Sequence, residues 1–303
     1  MKKFTLMLLA GAAFGLAGAA QAADVPIAAV PSYKAPVATI PPISGYIGLY
    51  GGWERDRQPD GFDTSNIGVF GGEGRVNVWF NSAWSGQLDV EAEGTGHFKN
   101  REDGRLYGLI GGHLTYRNPQ TWAMGLFGGI VDDNQTHGFG TNIHGLIGYE
   151  SQYYLGNFTL YTQSGYLGVI DSNKNSANEY QNRLLFSRLV ARYFVTPTTK
   201  LQAEIGYGSG SYHHASRDKD SILNWGALIE TQFSGPWSGF LEYAGSATHN
   251  KFEGGRERED LFLAGLKLYF NQQTLQSNNN TGATFDMPRF IRALSITHIA
   301  ADH

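Results

Sequence analysis

From about residue 44 to about residue 271, apolar and polar residues alternate with a period of two, and helical periodicity is absent. The run GQLDVEAEG, residues 86–94, shows the pattern without a break. A strand turns successive side chains to opposite sides, so Leu88, Val90 and Ala92 share one face while Gln87, Asp89, Glu91 and Glu93 share the other. Such a strand has two homes. In a soluble domain the apolar face is the core. In a membrane barrel it faces lipid and the carboxylates face a wet lumen.

The N-terminus bears on the choice. MKK is a short basic region, FTLMLLAGAAFGLAG is an apolar one, and AQA ending at Ala22 is a small-x-small cleavage site, so residues 1–22 read as a secretory signal peptide. Residues 23–43 are rich in Pro and Ala and read as an extended periplasmic linker. No later apolar run is long enough for a transmembrane helix, so a place in a membrane demands a closed barrel. The absence of Cys rules out a disulfide scaffold and thiolate chemistry. A net charge of -4 without a basic block argues against nucleic acid.

About twelve alternating runs of about ten to fifteen residues fill 44–271. Their connections take turns. Short ones are NSAW (81–84), NPQT (118–121), GN (156–157), TPTT (196–199) and SGPW (234–237). Longer, polar ones lie at 55–65, 99–104, 132–140, 171–179, 213–221 and 249–257. Short periplasmic turns alternating with longer outer loops are the plan of outer-membrane barrels, whose strand number is even. Aromatic residues gather at the short turns: Trp79, Phe80 and Trp84; Tyr116 and Trp122; Tyr153, Tyr154 and Phe158; Tyr193 and Phe194; Phe233 and Trp237; then Tyr269 and Phe270. Aromatic rings favour a lipid–water boundary. The expected fold is all-β: a closed antiparallel transmembrane barrel of about twelve strands, with ten or fourteen as alternatives. The opening strand then sends Leu88, Val90 and Ala92 to lipid and its acids to the lumen.

The ending GLKLYF carries a resemblance. Gly265, Leu268 and Phe270 are spaced like the terminal-strand signal read by the barrel-assembly machinery. The stretch ADVPIAAVPSYKAPVA resembles the leader of porin-like outer-membrane barrels of the α-proteobacterial surface type. The resemblance spans about 44–271, and it implies a bacterial outer-membrane protein with both termini periplasmic. Leu263 stands where the signal usually has a polar residue, and a tail follows Phe270 where the signal usually ends the chain. The partners implied are outer-membrane lipid and lipopolysaccharide, the assembly machinery, and small hydrophilic solutes; no cofactor is implied.

Arg75, Asp89, Glu91, Glu150, Arg192, Glu204, Glu230, Glu242 and Lys267 are the expected pore-lining residues, most of them within a few residues of a short turn. Rings of charged side chains select ions, and acids lead here, so the expectation is a weak cation preference. Cross-strand filling of a narrow lumen explains the same charges equally well. Hairpin registers place Arg75 beside Asp89 or Glu91, Arg192 beside Glu204, and Glu230 beside Glu242. His213 and His214, with Asp218 and Asp220, sit on an outer loop, where adjacent histidines ordinarily bind no metal. An enzyme is not expected: Gly-x-Ser-x-Gly is absent, and the mid-strand His113 and His144 face the lumen rather than lipid.

A polar, flexible spacer, NQQTLQSNNNTG (271–282), leads into the C-terminal tail, whose span is 272–303. Beyond the spacer a short helix is expected over 287–300, capped by Asp286, which docks at the periplasmic mouth or plugs the lumen; a tail without fixed structure is the competing reading. The functional expectation is a narrow passive diffusion pore for small hydrophilic solutes or ions. The alternative is a closed structural or surface-binding barrel without transport. A lipid-modifying enzyme and a soluble periplasmic β-protein rank below both.

Overall fold

A computed structural model describes residues 40–57, 65–96, 105–135, 141–172, 181–212, 219–249, 256–271 and 274–288. It contains β1 (Ile43–Arg57), β2 (Ser65–Trp79), β3 (Trp84–Gly96), β4 (Arg105–Asn118), β5 (Trp122–Gln135) and β6 (Thr141–Leu155). There follow β7 (Phe158–Ser172), β8 (Gln181–Thr196), β9 (Thr199–Tyr212), β10 (Lys219–Ser234), β11 (Trp237–His249), β12 (Arg256–Phe270) and a short helix α1 (Leu275–Thr281). Every strand pairs antiparallel with its chain neighbours. β12 returns to β1, from Gly45 opposite Phe270 to Arg57 opposite Arg258, and closes a twelve-stranded barrel. Closure leaves no strand edge unpaired.

The alternation read in the sequence becomes two surfaces. Outward lie Ile47, Leu49, Phe70, Leu88, Val90, Ile110, Leu126, Ile147 and Leu241, all strongly exposed. Inward lie Tyr46, Asn77, Asp89, Glu150, Gln163, Glu230 and Lys267, all buried. A continuous apolar exterior of this extent is foreign to a water-soluble surface and suits hydrocarbon. Among the described residues no helix is long and apolar enough to cross a membrane.

The five short connections define one end of the barrel. Two are tight two-residue turns that open on a left-handed glycine: Gly156 at φ 65° and Gly235 at φ 51°. Glycine adopts such angles at no steric cost, and one at the first turn position matches the twist of a hairpin. The longer connections fall outside the described residues, as do His213, His214 and Asp218.

The aromatic residues at the short turns divide between the two faces. Phe80, Trp84, Tyr116, Tyr153, Tyr193, Phe233 and Trp237 lie outward, as an interfacial girdle does. Trp79 turns in and donates to a backbone carbonyl in the lumen, while Tyr154, Phe194 and Tyr269 are buried there. Neighbours along a strand cannot share a face.

The stretch expected to be a flexible spacer is instead folded. After Asn271, at φ 57°, Thr274 caps α1. Its side chain accepts from the Ser277 amide, and the Ser277 hydroxyl accepts from the Thr274 amide. Residues 283–288 continue without regular structure, and every one is buried. The helix expected over 287–300 falls almost wholly outside the described residues; Met287 and Pro288 are not helical.

Candidate functional site

The interior of the barrel is the candidate site, and a belt of polar side chains runs round it near the short-turn end. On β10, Glu230 takes Lys200 of β9 at 2.9 Å, Ser238 of β11 at 2.8 Å and Tyr269 of β12 at 2.7 Å. Lys267 of β12 reaches Glu73 of β2 at 3.1 Å, and Arg75 lies 3.4 Å from both Glu73 and Asp89 of β3. His113 of β4 stands between Asp89 at 3.4 Å and Glu150 of β6 at 2.8 Å. Glu150 accepts from Tyr161 and Gln163 of β7, Gln163 accepts from Arg188 of β8, and Arg188 pairs with Glu204 back on β9. Charges of opposite sign thus follow one another round the circumference, each satisfying its neighbour in a poorly hydrated space.

Segment 274–288 threads through this belt, and wall side chains saturate its backbone. Trp79 donates to the Thr281 carbonyl at 2.7 Å and Arg117 to that of Gly282 at 3.0 Å. The Phe285 carbonyl accepts from Arg75 at 3.1 Å and Gln87 at 2.6 Å, and that of Asp286 accepts from Gln163 at 2.7 Å. An irregular segment needs such donors, because buried carbonyls left unpaired are costly. Its side chains dock as well. Phe285 is fully buried; it stacks on His113 at 5.8 Å and meets the edge of Tyr161. The Arg117 guanidinium lies 5.1 Å from the Phe285 ring. Met287 joins an apolar cluster with Leu109, Phe127, Val131, Leu146 and Leu167.

Asp286 anchors the segment electrostatically. One carboxylate oxygen lies 3.0 Å from Arg192 and the other 2.7 Å from Arg188. Burial pushes its carboxyl up, but the guanidiniums of Arg188, Arg192 and Arg75 outweigh burial and hold it well below the usual carboxylate range.

Between the segment and the wall of β1, β2 and β8–β12 a cavity of about 70 Å³ remains, with room for a few waters. Its wall bases are Arg75, Arg188, Arg192, Lys200 and Lys267, and its wall acids are Glu73, Glu204 and Glu242.

All nine expected lining residues face inward. Arg75, Arg192, Glu204, Glu242 and Lys267 border the cavity. Asp89, Glu150 and Glu230 are enclosed in the belt, and Glu91 accepts from Tyr50 at 2.9 Å. Arg75 stands opposite Asp89, one of its two expected partners. Two other pairings differ. Arg192 stands opposite Gln202, and the arginine that meets Glu204 is Arg188. Glu230 stands opposite Phe240 while Glu242 stands opposite Leu228, so the expected like-charge pair does not form and lysines surround Glu230. Both hairpins turn in two residues and then carry a bulge, at Phe194/Thr196 and at Gln232/Ser234, and each partner met stands two residues nearer the turn than the one expected. The sequence alone does not reveal the part played by the tail, Phe285 and Asp286 above all, or by the wall groups that receive it: Arg117, Gln163 and Arg188. Their signal was an inward arginine on β8 without an inward acid at the same height on the strands beside it.

No family model matches the chain, and no curated protein does. Solved structures match its fold. The COG4313 outer membrane channel from Pseudomonas putida F1 is 13% identical over 76% of this chain and 96% of that one, with a TM-score of 0.51. The KdgM porin is 8% identical over 74% and 99%, with a TM-score of 0.42. A Pseudomonas aeruginosa FadL homologue is 9% identical over 75% and 90%, at 0.42. The first of these is an outer membrane channel, and at 13% identity the likeness is one of fold.

Proposed function

We propose that this chain is a bacterial outer-membrane barrel forming a narrow passive route for small hydrophilic solutes or ions, shut at rest by its own residues 274–288. The observation that carries this reading is the kind of contact that holds the segment. It is bound through hydrogen bonds, one aspartate and the apolar side chains of Leu275, Phe285 and Met287, and it joins no strand ladder. Such a segment can leave while the barrel stays whole. Its short-turn end is the periplasmic one in this reading, with both termini on that side.

The expected weak cation preference belongs to the half of the lumen away from the short turns, where Glu54, Glu91, Glu93 and Glu259 lie. Bases lead round the cavity, so the two halves select in opposite senses. Single-channel recording under a salt gradient tests the reading. The full chain is expected to rest closed, and a chain ending at residue 271 to give frequent steps. Equal silence from both, in protein that migrates as a folded barrel, would sink it.

A second reading has its own support. Wall side chains alone, Tyr50, Val69, Phe240, Leu261 and Leu263, build one apolar cluster inside the lumen, and Leu167, Leu184 and Ile222 contribute to a second that Met287 joins. If these close it without the tail, the barrel is structural and silence after truncation is the expected result.

A further inference from the structure

We propose that the arginine pair holding Asp286 is a recognition site for small solute carboxylates, and that the aspartate occupies it as a built-in competitor in the resting state. The proposal rests on the gated-pore reading and names the solute class for it.

Arg192 is buried, and among the described residues its carboxylate partner is Asp286 alone. Withdrawal of the segment therefore leaves this guanidinium facing the opened lumen without the carboxylate it holds at rest. Arg188 keeps Glu204 but loses the second oxygen it grips. The opened wall round the cavity then holds five bases against three acids. Opening is thus coupled to an anion demand at one place. The two oxygens of Asp286 lie 3.0 Å and 2.7 Å from the two guanidiniums, a spacing that selects a planar two-oxygen group. The cavity borders Asp286 directly. A carboxylate that binds the vacated pair stabilises the open state and not the shut one, which is the condition for a ligand to shift the balance.

The chain has no Cys, so one introduced at Ala283, fully buried in the segment, reports its departure. The labelling rate of Ala283→Cys by a maleimide is measured in the refolded full chain with succinate, glucuronate, inorganic phosphate, glucose, and potassium chloride matched in ionic strength. Succinate and glucuronate are expected to accelerate labelling saturably, by about tenfold, the worth of one charge-assisted contact. Glucose and matched chloride are expected to leave it unchanged. Arg192→Gln is expected to label fast without solute and to lose the response. Equal acceleration by every salt would reduce the effect to screening and overturn the proposal. A response to phosphate without one to succinate would overturn the carboxylate class. Hydrogen exchange of 274–288 in the unsubstituted chain repeats the test without the cysteine. Labelling needs no current, so the two readings fail separately. A saturable response in a barrel that never conducts keeps the site and removes the pore. Conductance with flat labelling keeps the pore and removes the site.

Discussion

The carboxylate of Asp286 lies 2.7 Å from the guanidinium of Arg188, a contact that ties the tail to the middle of the barrel wall. Replacing Asp286 with Asn keeps the shape and removes the charge from between two arginines. Breaking one side of a buried pair costs about 3 kcal/mol or more. Protection of residues 275–287 against hydrogen exchange should therefore fall by roughly a hundredfold. The strands should keep theirs. Unchanged protection of the segment would show that its backbone contacts alone hold it.

The same carboxylate sets a pH dependence. Its affinity for a proton is lower in the docked state than in a free chain, so docking binds fewer protons than release. The stabilisation is complete above the ordinary aspartate value of about 3.9 and is lost as the pH falls below it toward the docked value. Exchange protection of the segment, corrected for intrinsic rates, should be level from neutral pH to about 4 and then decline. Asp286→Asn should lack that decline. Other wall carboxylates are common to both proteins, so the difference isolates Asp286. A decline shared by both would assign it elsewhere.

Phe285 gives the apolar share of docking. It is fully buried with Ala123, Tyr154, Tyr161 and Val190, and the Arg117 guanidinium covers its ring. Phe285→Ala should weaken docking by about 3–5 kcal/mol, the usual range for emptying an aromatic site. Barrel unfolding, followed by heat-dependent gel migration, should stay where it was, because the closed ladder contains no tail residue. A large drop in barrel stability would mean that the segment is part of the folding core.

The strands were legible because each separates two solvents, and a period of two survives even where glycine is dense. Hairpin partners were legible only in part. Arg75 faces Asp89, one of its two expected partners, while Arg192 and Glu230, in hairpins with a bulge beside a two-residue turn, pair two residues away from theirs. The segment was illegible for a different reason. LQSNNNT is polar after Leu275 and has weak helix propensity, so its helix depends on groups supplied by the wall. Its local cue, Thr274 with Ser277, has serine where a capping box usually has Glu or Gln.

Gly111 and Met287 should be coupled. A Cβ at Gly111 would sit 2.2 Å from the Met287 methyl and 2.8 Å from its sulfur. Methionine is flexible enough to retreat in part, so Gly111→Ala should loosen the segment by about 1 kcal/mol. In a Met287→Ala background the same substitution should cost little, which a double-mutant cycle on exchange rates would read. Additive effects would place the methionine elsewhere in solution.

The outer face carries the last test, and it reaches the membrane assignment itself. Leu49 lies midway along β1 with 73% of its surface exposed, between the outward Ile47 and Gly51 on a band without inward partners. On a water-facing surface, Leu49→Arg would change stability by no more than about 0.5 kcal/mol. Against hydrocarbon near the midplane it costs about 2–4 kcal/mol. Denaturant unfolding of both proteins from lipid vesicles separates the two values. A loss in the upper range means that β1 crosses the bilayer at this height. A loss near zero would turn the apolar band into a surface that something other than lipid must cover, and would remove the premise on which the pore and its gate stand.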